Sequence, residues 1–158
     1  PNKASIICKS LVEKIKENFN KIDIILSPAI GGIVVGFEVG RQLNIQTIFS
    51  ERFDGNLILR RGFNIPSGSN VLIVEDVITT GKSALECLKI VKDRNANLVG
   101  FACIIDRSDS KILINEKIIS QVKFKINLYN EKNLPEKLKK IPSKKPGSRT
   151  LSKWIKLN

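Results

Sequence analysis

Residues 71–74, Val-Leu-Ile-Val, form an unbroken apolar run of Leu and β-branched residues with no polar alternation. A strand of that kind is covered on both faces, so it needs a layer of helices on each side of its sheet. Two adjacent acids, Glu75 and Asp76, follow it directly, and a loop is expected at once, with a helix opening at Lys82. At 158 residues and 42% apolar composition the chain can bury one sizeable core but hardly two. A single domain spanning residues 1–158 is expected.

The same order recurs elsewhere in the chain. Over residues 2–20, Ile7, Leu11, Ile15 and Phe19 recur at about four-residue steps, an amphipathic helix that Asn2 could cap. A short strand over residues 22–26, a Pro-Gly loop over 28–32 and a helix over 33–43 make a β-α unit. Residues 45–50 and 57–60 read as strands joined around Asp54-Gly55-Asn56, a hairpin signal with an exposed tip. A helix over 82–94 and a buried strand over 98–105 follow. Repetition of strand, loop and helix predicts an α/β fold with a mostly parallel sheet and right-handed crossovers. Beyond Arg107 the signal weakens: a short helix over 112–119, a strand over 122–129 and a basic tail over 134–156 interrupted by prolines are expected.

Several chemistries are excluded early. No apolar run approaches the roughly 20 residues a bilayer span needs, and the first residues carry no leader pattern, so a cytoplasmic protein with no membrane contact is expected. Cys8, Cys87 and Cys103 are odd in number, lack a C-x-x-C pair and sit in apolar segments, which argues for core packing rather than disulfides or zinc. Histidine is absent, which removes histidine relays and most transition-metal centres. The net charge of +12 is uneven: residues 1–110 hold 14 basic and 12 acidic side chains, whereas residues 111–158 hold 13 and 3. The basicity therefore belongs to the tail, and no aromatic residues interleave with its lysines as a base-stacking platform would require. A nucleic-acid partner is not expected.

The chemistry concentrates in residues 71–83, VLIVEDVITTGKS. A buried strand would deliver Glu75 and Asp76 to its C-terminal end, where open α/β sheets place ligands. Backbone N–H groups at the following helix start, with the hydroxyls of Thr79, Thr80 and Ser83, form a donor-rich hollow suited to a phosphate, and Gly81 lets the backbone approach. Ordinary helix capping would explain the threonines but not two acids at the end of a buried strand. A triphosphate loop is ruled out, because the glycine it needs five positions before Gly81 is Asp76. Carboxylates would repel a triphosphate, but beside a single phosphate they are placed to accept hydrogen bonds from sugar hydroxyls. The combination points to a ribose 5-phosphate. Gly31, Gly32 and Gly36 miss the spacing of a dinucleotide fingerprint.

Residues 71–83 closely resemble the phosphoribosyl-pyrophosphate (PRPP) signature of the type I phosphoribosyltransferases. More narrowly, SPAIGG at 27–32, ERFDGNLILRRGF at 51–63, IIDRS at 104–108 and KPGSR at 145–149 are similar to the orotate phosphoribosyltransferases. The resemblance runs in order over nearly the whole chain. It implies a Rossmann-like type I fold with a hairpin loop and a small basic C-terminal extension. It implies that Glu75 and Asp76 hold the ribose hydroxyls, that Thr79, Thr80, Gly81, Lys82 and Ser83 cradle the 5-phosphate, and that Ala29, Ile30, Gly31 and Gly32 line the pyrophosphate. Arg107 would fork onto the orotate carboxylate, with Thr79 near the base. The implied reaction makes orotidine 5-monophosphate, with Mg²⁺ carried mainly by PRPP and no dedicated protein metal site.

The chain also departs from the family pattern. The mobile loop, long and Lys-rich in better-known members, is short between Phe49 and Asn70 and holds no Lys or His. Arg52 matches its first cationic position and is assigned the catalytic and pyrophosphate role, whereas Arg60 and Arg61 are expected to pair with acids on a strand surface. A homodimer is expected, with the loop cation reaching a neighbouring site, and the family's hood segment before the first helix is expected to be missing from the chain. Two alternatives stay open: a phosphoribosyltransferase acting on a purine base, and a non-catalytic PRPP sensor that binds RNA through the basic tail.

Overall fold

The computed structural model describes residues 2–108, 112–126, 129 and 133–142. The helices are α1 (Asn2–Asn18), α2 (Gly31–Leu43), α3 (Lys82–Asp93) and α4 (Glu136–Lys139). The strands are β1 (Ile24–Pro28), β2 (Gln46–Phe53), β3 (Asn56–Leu59), β4 (Asn70–Ile78), β5 (Asn97–Asp106) and β6 (Ile118–Lys123). Contacts divide the chain into residues 1–126 and residues 127–158. In the second unit the described helix is α4, where Lys139 Nζ donates to Glu136 Oε1 at 2.6 Å.

The first unit is built on a six-stranded sheet of order β3-β2-β1-β4-β5-β6. The β1–β2, β1–β4, β4–β5 and β5–β6 pairs are parallel, and β2–β3 is an antiparallel hairpin turned by Asp54 and Gly55, both with positive φ. Strand order reverses between β1 and β4, the place at whose C-terminal edge open α/β sheets bind their ligands. Period-two alternation divides the core. On one face Ile25, Leu72, Val74 and Ala102 pack against Cys8, Leu11, Val12 and Ile15 of α1 and Val39 of α2. On the other, Ile24, Leu26, Val71, Ile73 and Phe101 pack against Ala84, Cys87, Leu88 and Val91 of α3. All three cysteines are buried and free, and among the described residues no helix is long and apolar enough to cross a membrane.

Three sequence expectations are corrected. Asn2 is the first residue of α1 rather than a cap before it. Strand β4 does not end at Val74: its pairing with β5 continues to Ile78, opposite Asp106, so the two acids lie within the strand and the loop begins later. Residues 112–117 form no helix, and among the described residues the strand that follows is β6 at Ile118–Lys123 rather than 122–129, because Ile118 and Val122 pair with Phe101 and Ile105 of β5. Pairing with a buried strand overrides a local apolar spacing that suits either state.

Phe101 is fully buried between Ile73 and Ile118 on neighbouring strands. Phe101→Ala should lower the unfolding free energy by about 3–5 kcal/mol in urea titration. A loss below about 1 kcal/mol, ordinary for a surface position, would contradict its central place in the packing.

Candidate active site

Alternation along β4 decides where the two acids go. Val71 and Ile73 face α3 while Leu72 and Val74 face α1 and α2, so Glu75 and Asp76 leave the strand on opposite faces. Glu75 lines a small cavity of about 70 Å³ together with Val77, Ile78 and residues 79–83. Asp76 instead meets the start of α2: a Cβ on Gly31 would collide with its carboxylate Oδ2. The structure therefore brings Glu75 to the Thr79–Ser83 turn and Asp76 to the Ala29–Gly32 turn, with the edge of β4 between them.

Both turns are helix starts with unclaimed donors. Helix α3 begins after Gly81, whose φ of 80° is left-handed, and no side chain caps it. The Thr80 hydroxyl accepts from Lys82 N–H only at 3.4 Å. A Cβ at Gly81 would also lie 2.8 Å from Ile114 Cδ1, so glycine is required there by conformation and by space. Helix α2 begins after Ile30, again with no side-chain cap and no acid in its first turn. The Ala29–Ile30 peptide bond is cis, and Ala29 N–H donates to Ser50 O at 2.7 Å. Free N–H groups and the positive dipole end of each helix favour an anion at each turn.

Electrostatics differ between the acids. Glu75 is 7% exposed, and burial first, then the charge of Asp76, push its carboxyl up to about 7. Asp76 is only half-buried. One carboxyl is thus poised near neutrality by desolvation while its neighbour reaches solvent.

The arginines are placed differently from one another. Arg52, on the β2–β3 hairpin, donates to Glu86 Oε2 of α3 at 2.8 Å and to the Gly55 carbonyl. Arg60 and Arg61 both pair with Glu51 at 2.8 Å, as expected of strand-surface cations, and Arg60 also lies over the Phe53 ring. Arg107 follows the last residue of β5, and its N–H donates to Ile78 O at 2.8 Å, which ties it to the end of β4. Its buried Nε has no hydrogen-bond partner among the described residues. A larger cavity of about 470 Å³ lies between β3 and α3, but it contains neither acid of β4 and neither helix start. Size alone would choose that cavity; convergent donors and carboxylates choose the edge of β1, β4 and β5.

Sequence reading missed two residues of this region. Ile114 walls the α3 turn, and it lies in the segment expected to be helical. Lys123 pairs with Asp106 at 2.9 Å, and nothing distinguished it from the other lysines after Arg107. The KPGSR segment at 145–149 lies outside the described residues.

The model of the phosphoribosyl transferase domain family matches residues 2–133. An orotate phosphoribosyltransferase of Methylorubrum populi is 47% identical over 154 residues, covering 97% of this chain and 79% of that protein. One of Caldanaerobacter subterraneus subsp. tengcongensis is 42% identical over 151 residues, covering 96% and 78%. The chain belongs to the orotate phosphoribosyltransferases. Among solved structures, adenine phosphoribosyltransferase from Thermoanaerobacter pseudethanolicus superposes with a TM-score of 0.65 at 19% identity, over 75% of this chain and 79% of that one. Orotate phosphoribosyltransferase from Aeropyrum pernix gives 0.61 at 17% identity, over 77% and 71%. These two likenesses carry the type I fold; the sequence relatives carry the membership among orotate phosphoribosyltransferases.

In this family member the raised carboxyl of Glu75 has a consequence for stability. Its folded pKa of about 7 lies above the ordinary 4.5. The contribution of Glu75 to stability is therefore full below the ordinary value and is lost as pH rises through about 7. Glu75→Gln should be more stable than the unsubstituted protein at pH 8 by about 1–3 kcal/mol, with little difference near pH 5. Urea unfolding at the two pH values checks this, and equal effects at both would contradict it.

Proposed function

We propose that the ends of β1, β4 and β5 form the active site at which this chain transfers the 5-phosphoribosyl group of PRPP to orotate, giving orotidine 5-monophosphate and pyrophosphate. The observation that carries the reading is the division of β4's acids between two uncapped helix starts. One substrate with a phosphate at one end and a pyrophosphate at the other would span both turns, with its ribose over the edge of β4. Relatives bearing the name orotate phosphoribosyltransferase, 39–47% identical across most of the chain, supply the base.

Each residue then has a task. Residues 79–83 hold the 5-phosphate through N–H groups and hydroxyls, and in the Ala29–Gly32 turn, where the Ala29 N–H is held by Ser50 O, residues 30–32 offer N–H groups to the pyrophosphate. Glu75 and Asp76 accept hydrogen bonds from the ribose 2- and 3-hydroxyls from opposite sides, and their charge favours the positive sugar that develops as the bond from the anomeric carbon to pyrophosphate breaks. Arg107 offers a planar fork to the orotate carboxylate, beside Thr79. Arg52 reaches the pyrophosphate by leaving Glu86. That pair is exposed, 44% and 25% by side chain, and such pairs contribute only about 0–1 kcal/mol, so the exchange is cheap.

Mg²⁺ fits this donor set as part of the substrate. The hard carboxylate oxygens of Asp76, against the Gly31 turn, would suit a hard cation brought in with PRPP. When bound, such an ion would supply positive charge toward the departing pyrophosphate. A cytoplasmic setting is part of the same reading.

Orotate absorbance should fall only when PRPP and Mg²⁺ are both supplied. Asp76→Asn should slow that loss by about 10²–10³-fold with the fold intact by circular dichroism, the range seen when one electrostatic contact to a transition state is removed. Consumption of a purine base instead of orotate, or full activity in Asp76→Asn, would reject the assignment.

Pairing of two copies belongs to the proposal as well. Ile30, Val34 and Phe37 are 85%, 66% and 62% exposed along α2, an i, i+4, i+7 apolar stripe that begins in the pyrophosphate turn itself. A second copy seated on it would bring its own hairpin arginines near that turn. Sedimentation equilibrium should give a dimer, and Phe37→Glu should shift it to monomer. A monomeric unsubstituted protein with full activity would contradict the pairing.

A further inference from the structure

Ser27 lies on β1 and is fully buried, and its hydroxyl has no hydrogen-bond partner among the described residues. Alternation along β1 turns it, with Ile25, toward the face that α2 covers. There it meets Gly36: a Cβ built on that glycine would fall on the Ser27 Oγ and lie 3.0 Å from the Ser27 Cβ. The hydroxymethyl group of Ser27 therefore occupies the place where α2 would otherwise carry a side chain. Thr47 of β2 meets Gly40 in the same way one turn further on, and its hydroxyl donates to Gly36 O at 3.3 Å.

These contacts set how closely α2 lies on the sheet. Gly32 precedes Gly36 by one turn, about 6 Å along the axis. With a Cβ it would stand 3.2 Å from both Pro28 Cδ and Val74 O, and a Cβ on Gly31 would strike the Asp76 carboxylate. The start of the helix is thus fitted to β1 and β4 as tightly as its middle is fitted to Ser27. A helix of 13 residues is a stiff body, so raising it at Gly36 moves its first turn as well. Core packing alone does not account for a serine here, because a buried hydroxyl without a partner opposes folding. What Ser27 contributes is its size.

We propose that Ser27 and Gly36 are positioning residues: the Ser27 hydroxymethyl, seated in the empty place at Gly36, fixes the height of α2 and so the place of the N–H donors of residues 30–32. The proposal rests on the reading that this turn takes the pyrophosphate. Hydrogen bonds weaken steeply with distance and angle, so a helix start displaced from Asp76 would lose pyrophosphate while the turn at residues 79–83, which belongs to α3, keeps its phosphate.

Calorimetric titration of the full chain with PRPP and with orotidine 5-monophosphate, both with Mg²⁺, tests this. The two share the 5-phosphate, and only PRPP carries the pyrophosphate. Gly36→Ala supplies a better helix former but forces α2 away from β1. It should raise Kd for PRPP about tenfold, within the loss that an ångström of misplacement brings, and leave Kd for orotidine 5-monophosphate unchanged. Ser27→Cys, which puts a larger atom in the same place, should move PRPP in the same direction by a smaller factor. The exchange variant Ser27→Gly/Gly36→Ala returns one side chain to the shared space and should bind PRPP better than Gly36→Ala alone, even though glycine weakens a strand. A merely structural role predicts that both Kd values rise together, or that the exchange variant binds PRPP no better than Gly36→Ala; either result overturns the proposal. Amide proton–nitrogen NMR of the unsubstituted protein with PRPP separates the two readings. If the amides of Gly31 and Gly32 do not shift, the pyrophosphate assignment fails; if they shift while Gly36→Ala keeps the original affinity for PRPP, only the role of Ser27 and Gly36 fails.

Discussion

A buried strand that must carry charge is the constraint on which the rest of this molecule depends. β4 is covered by α1 and α2 on one face and by α3 on the other, and its apolar residues 71–74 supply both halves of the core. Continuing the same pleat for two more residues sends one carboxylate to each face. Glu75 is left almost without water, and its ionisation is opposed by burial and by Asp76. Folding tolerates that cost where ligands bind, and the cost is what makes the site receptive: a buried carboxylate short of partners gains most from hydroxyl donors brought by a substrate.

Around that strand the donors are arranged by what the chain leaves out. Neither α2 nor α3 carries a side-chain cap, and neither has an acid in its first turn. Glycines stand at both starts, one crowded by Asp76 and the other by Ile114. The first N–H groups of any helix lack intrahelical partners and are commonly met by a capping side chain; here they lie at the C-terminal edge of the sheet where strand order reverses. The cations follow a second rule. Arg60 and Arg61 are committed to Glu51, Arg52 is paired with Glu86, and Arg107 makes no ion pair among the described residues and keeps a buried Nε without a hydrogen-bond partner. Availability for a ligand is set by what each arginine is already bonded to.

Much of this was legible before any coordinates. The parallel α/β sheet followed from the order of apolar runs, the hairpin from Asp54-Gly55, and the turn that opens α3 from the residues after β4. The two-sided placement of Glu75 and Asp76 followed from strand periodicity only once β4 was known to continue beyond them, because a run that ends in acids and threonines looks finished. The misread segment at 112–119 has apolar spacing compatible with a helix, and pairing with Phe101 and Ile105 decided otherwise. Lys123 had no sequence signal at all, since its significance is an ion pair with a residue seventeen positions earlier, formed by parallel neighbours β5 and β6. Periodicity reports what faces a core; it does not report which surface charge meets which.

The central claim is that the turn after β4 is an anion hollow completed by Glu75. Titration with ribose 5-phosphate, followed by amide proton–nitrogen NMR, tests it most directly. The amides of Gly81, Lys82 and Ser83 should shift with saturation, while those of Leu59 and Ile90, beside the larger cavity, stay in place. Shifts confined to Leu59, Ile90 and their neighbours, with residues 81–83 unmoved, would contradict it.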